Sequence, residues 1–185
     1  MMKRVVALLV MLTLLLGSTS ALAAQDATPE AGGGEKTTGG GDPKIGDEVQ
    51  YLSDDGDENA VIIVTKVTDP FDDFSEYFRP EKDARYVAVE IAVESTGDQI
   101  DISAYNFGLQ TMDGFFYSPT YASREDGARP VDLENGTVQE GDNLSGVIFY
   151  AVPEKTELSR LLWQPESGRL LVVADLRDAD SSQKR

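Results

Sequence analysis

The chain has 185 residues, 33 acidic against 16 basic side chains, a formal charge of −17, and neither Cys nor His. Without those two residue types there is no Ser-His-Asp or Cys-His arrangement and no His- or Cys-based zinc or copper site, while the charge repels nucleic acid and anionic membranes. What stays open is carboxylate chemistry, either an acid pair of the glycosidase kind or oxygen-ligated calcium or magnesium.

In chain order, residues 1–23 read as a cleavable secretory signal. Lys3 and Arg4 precede an apolar run from Val5 to Leu16, and Ala21-Leu22-Ala23 sets small residues before a cut at Ala24. The run falls short of the roughly 18–20 residues of a spanning helix, so no stable membrane insertion is expected after cleavage. Zero Cys excludes a thiol-linked lipid anchor. Cleavage removes two bases and no acid, so the mature chain is more acidic still. Residues 24–44, with two Gly triplets, read as a disordered linker. Residues 178–185 read as a polar tail.

Between them, residues 45–177 carry period-two patterning rather than helical patterning. Glu48–Leu52 is a short strand. Ala60–Val67 is β-branched and almost continuously apolar, so it is placed centrally in a sheet. In Tyr86–Glu94, Val87, Val89, Ile91 and Val93 face one way, and Ala88, Glu90, Ala92 and Glu94 form a wet face. Tyr105, Phe107 and Leu109 alternate with polar or small residues. Phe115–Tyr117, Thr137–Gln139 and Leu144–Ala151 follow, the last with Val147, Phe149 and Ala151 on one face. Leu161–Trp163 and Leu170–Val173 close around Pro165-Glu166-Ser167-Gly168. Asp54-Asp55-Gly56-Asp57, Asp113-Gly114, Asn135-Gly136 and Glu140-Gly141-Asp142 supply turn residues that tolerate positive φ. Seven to nine short strands of this kind predict an all-β antiparallel sandwich with one short helical turn, a barrel being the alternative.

Three segments in order carry a family resemblance: Arg85-Tyr86-Val87-Ala88-Val89-Glu90-Ile91-Ala92-Val93, then Phe107-Gly108-Leu109-Gln110-Thr111-Met112-Asp113-Gly114-Phe115-Phe116-Tyr117, then Gly141 through Gly146-Val147-Ile148-Phe149 to Pro153. This order resembles a family of secreted bacterial immunoglobulin-like domains of unknown function, related in fold to the secreted immunoprotective antigen of mycobacteria. Where that family often has Asn after the alternating strand, this chain has Glu94-Ser95-Thr96-Gly97, and Ser95 can cap the turn instead. The resemblance implies an immunoglobulin-like sandwich and an extracellular setting, and brings no catalytic residues with it. In a bacterial setting the sequons at Asn135 and Asn143 read as turn chemistry.

Candidate sites are few. In Asp69–Phe78, Asp69 can cap a helix, Pro70 suits its first position, and Asp72, Asp73 and Glu76 suit its positive end. Phe71, Phe74 and Phe78 then share a face, as a plug for one open end of the sandwich or as an aromatic patch for a partner. Tyr77, Phe116 and Tyr121 complete the candidate binding set. Trp163 and Phe115 are assigned to the core. They are also weighed, with Phe116, Tyr117 and Tyr121, as a sugar-stacking platform. Asp54, Asp55, Asp57 and Glu58 form a candidate calcium cluster without EF-hand spacing, set against a solvated hairpin turn; Asp98 with Asp101, and Asp72 with Asp73, are weaker versions. No acid pair stands out for glycoside hydrolysis. The sequence reading is a secreted, non-enzymatic immunoglobulin-like domain without cofactor, binding an extracellular or cell-envelope protein. A small-ligand or carbohydrate carrier and a calcium-stabilised module are the alternatives.

Overall fold

A computed structural model describes residues 41–56, 59–122 and 132–179. The expected signal, most of the expected linker and the last residues of the tail lie outside them. Among the described residues there are ten strands: β1 (Glu48–Leu52), β2 (Asn59–Phe71), β3 (Ala84–Ser95), β4 (Gln99–Ile102), β5 (Phe107–Thr111), β6 (Phe116–Tyr117), β7 (Gly136–Gln139), β8 (Asn143–Pro153), β9 (Leu158–Trp163) and β10 (Leu171–Asp175). They form sheets in the orders β1-β2-β3-β8 and β10-β9-β5-β6, with β4-β7 as a two-stranded third. The strand pairs are antiparallel. This is the antiparallel β-sandwich that the patterning predicts.

The alternation of β3 sets the core. Val87, Val89, Ile91 and Val93 are buried together with Leu109, Leu161 and Trp163 of the opposite sheet. Tyr51 of β1 meets the Trp163 ring edge-on at 5.0 Å, and Phe107 of β5 stacks on it at 5.9 Å. β2 lies between β1 and β3, as its apolar run predicts.

The other face of β3 departs from expectation. Glu94 is exposed, but Tyr86 and Ala88 are buried. They join Phe71, Ala122, Val147 and Phe149 in a second, smaller cluster. Because β3 and β8 alternate, that cluster lies on the outer face of their sheet, where Val147 and Phe149 point opposite to Ile148 and Tyr150. The wet face of β3 is therefore wet only toward its C-terminal end.

β8 is a sheet edge covered by the chain itself. Thr120 bridges Phe149, and Asp132 bridges Val147 in parallel. The Leu133 N–H donates to the Val147 carbonyl at 2.9 Å. This crossing explains Gly146: a Cβ there would sit 2.5 Å from Leu133 Cα and 2.6 Å from Leu133 N. Gly136 starts β7 rather than making a tight turn with Asn135, whose Oδ1 instead accepts from the Ala104 N–H at 3.1 Å. Ser95 is fully buried, and its hydroxyl donates to the Gly97 carbonyl at 3.2 Å.

Asp42–Lys44, which composition assigns to the linker, are pinned to the sandwich. Lys44 bridges Asp175 in parallel, and Arg160 Nε donates to Asp42 Oδ2 at 2.6 Å. Arg177 donates to Asp175, which holds that carboxyl below the usual carboxylate range.

Candidate functional site

The segment expected to be a helix with Asp69 as its cap is not one. Asp69 and Pro70 continue β2, joined by a cis peptide bond, and Phe71 pairs in register with Tyr86. Cross-strand pairing with β3 overrides the local capping signals, and a 3-10 turn, Glu76–Phe78, comes later. Ser75 caps that turn: its Oγ accepts from the Tyr77 N–H at 3.4 Å, and its carbonyl from the Phe78 N–H at 2.8 Å.

Phe71, Phe74 and Phe78 consequently do not share a helix face, yet the fold brings them to one place. Phe71 is buried and packs on Phe149 at 5.0 Å. Phe74 is half-buried and meets Tyr86 edge-on at 5.4 Å. Phe78 and Tyr121 meet edge-on at 5.1 Å. Thr120 and Ala122, on either side of Tyr121, are held by β8 and by the outer cluster. Tyr77 is 84% exposed, Tyr121 58% and Phe78 39%. The result is two tiers. Phe71, Phe74, Tyr86 and Phe149 form a packed floor on the outer face of the sheet, and Tyr77, Phe78 and Tyr121 form a solvent-facing rim beside it. Phe71 and Phe74 are thus supports rather than contacts, and they cover the outer face rather than plug an open end.

The base of this segment is clamped by a group that patterning does not reveal. Arg85 Nε and Nη2 donate to Asp69 Oδ1 and Oδ2 at 2.6 and 2.8 Å. The same guanidinium donates to the carbonyls of Pro153 and Thr156 at 2.5 and 2.8 Å. The two side chains are only 16% and 10% exposed. This fork ties the end of β2 to the start of β3 and to the β8–β9 turn. Above it lies a cleft of about 860 Å³, lined by Pro70, Phe74, Met112, Lys155, Glu157 and Leu158 among others. Its walls mix apolar, acidic and basic side chains, and the charge of Arg85 is already neutralised from within.

The remaining candidates are scattered. Phe116, 59% exposed, pairs with Gln110 on the short edge strand β6 and makes no ring contact among the described residues. Phe115, assigned to the core by its sequence, is 64% exposed. It closes a hairpin tip in which the Thr111 N–H donates to its carbonyl. Trp163 is fully buried, as expected. The aromatic residues weighed as a sugar platform therefore do not form one surface.

In the β1–β2 hairpin, Asp55 Oδ1 accepts from the Ser53 hydroxyl at 2.6 Å, and Asp54 stands 3.5 Å from Arg169 Nη1. Asp57 and Glu58 lie outside the described residues. Among the described residues no three acidic side chains are grouped as metal ligands. Asp101 accepts from the Thr137 hydroxyl at 2.5 Å.

Residues 44–168 match the family described as a domain of unknown function, DUF4352. The chain belongs to the DUF4352 family. No curated protein matches it. Among solved structures, the DUF4352 chain is similar to MPT63, a secreted protein from Mycobacterium tuberculosis, with a TM-score of 0.55 at 15% identity over 71% of this chain and 94% of that one. At that identity the likeness concerns the fold alone, and it agrees with the relation in fold that the sequence motifs imply. Two Bacillus subtilis proteins are also similar. The candidate lipoprotein YcdA scores 0.49 at 21% identity over 70% of this chain and 39% of that one. YjhA scores 0.45 at 23% identity over 66% and 81%. Among the described residues of the DUF4352 chain, no helix is long and apolar enough to cross a membrane.

Proposed function

We propose that this DUF4352 domain is an exported, non-enzymatic interaction module. In this reading the rim formed by Tyr77, Phe78 and Tyr121 docks a protein of the cell envelope or its surroundings. The observation that carries it is the exposed Phe78–Tyr121 ring pair, with exposed Tyr77 preceding Phe78 in the same turn, close in the chain to Phe74 and Ala122 of the outer cluster. Exposed tyrosines on a rigid base are typical anchors. Each brings a large apolar area and a polar tip at little cost in side-chain entropy. The lack of His, the usual proton carrier near neutral pH, supports a binding role over a catalytic one. The signal pattern of residues 1–23 supports export, and the lack of Cys supports release without a thiol-linked lipid.

The test compares the mature chain, residues 24–185, with its Tyr77→Ala/Phe78→Ala/Tyr121→Ala variant in binding to envelope proteins of the source cells. Loss of anchor residues typically costs about 1–2 kcal/mol each, so the variant should bind at least tenfold more weakly at an unchanged melting temperature. Equal binding by the two proteins would remove the rim from consideration. Retention of the full-length chain in the cytoplasm would remove the export.

A further inference from the structure

We propose that the partner meets the aromatic rim with lysine or arginine side chains. This rests on the docking role just described for that rim and names the chemistry of what docks. Three observations converge on it.

The first is the charge of the segment that builds the rim. Asp72, Glu76, Glu81 and Asp83 are all exposed within the stretch joining β2 to β3, against Arg79 and Lys82. Asp69 is already neutralised by Arg85. The chain as a whole carries −17. An apolar face in such surroundings repels a second copy of itself, a nucleic acid and an anionic lipid surface, and it attracts a basic polypeptide.

The second is the chemistry of the exposed groups. Aromatic ring faces carry negative electrostatic potential, and a cation within about 6 Å of a ring centre is attracted to it. Tyr77, with 84% of its surface open, follows directly on Glu76 at the start of the 3-10 turn. An open ring and an exposed carboxylate thus belong to the same short turn.

The third is that the fold already uses this combination on itself. The Arg169 guanidinium sits 4.9 Å from the centre of the Tyr51 ring, with Glu166 at 3.2 Å and Asp54 at 3.5 Å from its Nη1. The segment from Asp72 to Asp83 carries the same kinds of group, tyrosine and carboxylates, exposed to solvent.

The experiment is fluorescence polarisation of the mature chain with labelled 12-residue peptides alternating Gly with Lys, Arg, norleucine or Glu. The Lys and Arg peptides should bind saturably in low salt and weaken as salt rises, while the norleucine and Glu peptides should not bind. Tyr77→Leu/Phe78→Leu, which leaves the net charge unchanged, should weaken Lys-peptide binding at least fivefold, and Tyr77→Phe should restore it. Asp72→Asn/Glu76→Gln should also weaken it. Glu94→Gln/Asp98→Asn removes as much charge but sits at the far end of β3, roughly 25–30 Å from Tyr86, and should change binding less than twofold. Tyr77 is so exposed that its variants should fold, and an unchanged melting temperature checks this. The inference is overturned if norleucine peptides bind as well as Lys peptides, if no peptide binds, or if Tyr77→Leu/Phe78→Leu binds as the wild type does. Should envelope binding depend on the rings while Lys and norleucine peptides behave alike, the docking face stands and only its cationic partner is lost.

Discussion

Replacing Gly146 by alanine puts a Cβ 2.5 Å from Leu133 Cα and 2.6 Å from Leu133 N, both backbone atoms. Ordinary carbon contacts lie near 3.5–4 Å, so β8 and the strand-crossing segment must separate by about 1 Å. The Leu133 N–H to Val147 carbonyl bond is 2.9 Å long. An added ångström takes it beyond hydrogen-bond range, at a net cost of about 1 kcal/mol. Leu133 is buried in the main core, and partial withdrawal of its side chain costs about another 1–2 kcal/mol. The expected loss is therefore about 2–3 kcal/mol, or a fall in melting temperature of about 10 °C for a domain of this size. Scanning calorimetry of the mature chain measures it. Gly108→Ala is the internal control, since a Cβ there meets nothing within 4 Å. That substitution should be neutral or stabilising by a few tenths of a kcal/mol. A shift under about 2 °C for Gly146→Ala, or an equal fall for Gly108→Ala, would refute the close-approach argument.

Two further outcomes follow from the same geometry. Arg85→Met strands the Asp69 carboxylate and takes its donor from the Thr156 carbonyl, while the Pro153 carbonyl keeps the Thr156 N–H at 3.1 Å; it should cost about 3 kcal/mol in urea unfolding, and adding Asp69→Asn should recover part of that. A cost below about 1 kcal/mol would show that the fork does not clamp the segment. Tyr150→Phe removes a fully buried hydroxyl with no hydrogen-bond partner among the described residues, so stability at neutral pH should hold or rise by up to about 1 kcal/mol. Burial pushes the Tyr150 hydroxyl well above the ordinary tyrosine range. Its contribution is therefore present below the unfolded value near pH 10 and is lost as pH rises past it. Tyr150→Phe should flatten that alkaline fall, and a steeper fall, or a clear loss of stability at pH 8, would contradict it.

The local rules were enough wherever the answer depends on a strand's own alternation. Val87, Val89, Ile91 and Val93 announce the inner face of β3, and Gly56, Gly114 and Gly168 announce hairpins, whereas Gly136 does not. β4 was not among the predicted strands: Gln99-Ile100-Asp101-Ile102 alternates, with Ile100 and Ile102 buried, but four residues are too few for the pattern to stand out. The candidate site was legible in composition but not in geometry. The fold gathers Phe71, Phe74, Phe78 and Tyr121 on one outer face of the sheet. Helical spacing was the wrong reason, because pairing between Phe71 and Tyr86 extends the strand through a sequence that locally favours a helix start.

Alternation, turn residues and the missing Cys and His are local or compositional properties. The sequence by itself therefore determined an acidic, antiparallel all-β domain outside thiol and imidazole chemistry, with sandwich and barrel both open. Which outer face is covered is a different kind of question. Tyr121 reaches Phe78, Arg85 reaches Asp69, and Leu133 presses on Gly146 only after the sheets have formed. Those contacts join segments far apart in the chain, and their energy exists only once both partners are placed. The tertiary structure alone decided that Tyr86 and Ala88 are buried in an outer cluster with Phe71 and Phe149, and that Tyr77, Phe78 and Tyr121 face solvent.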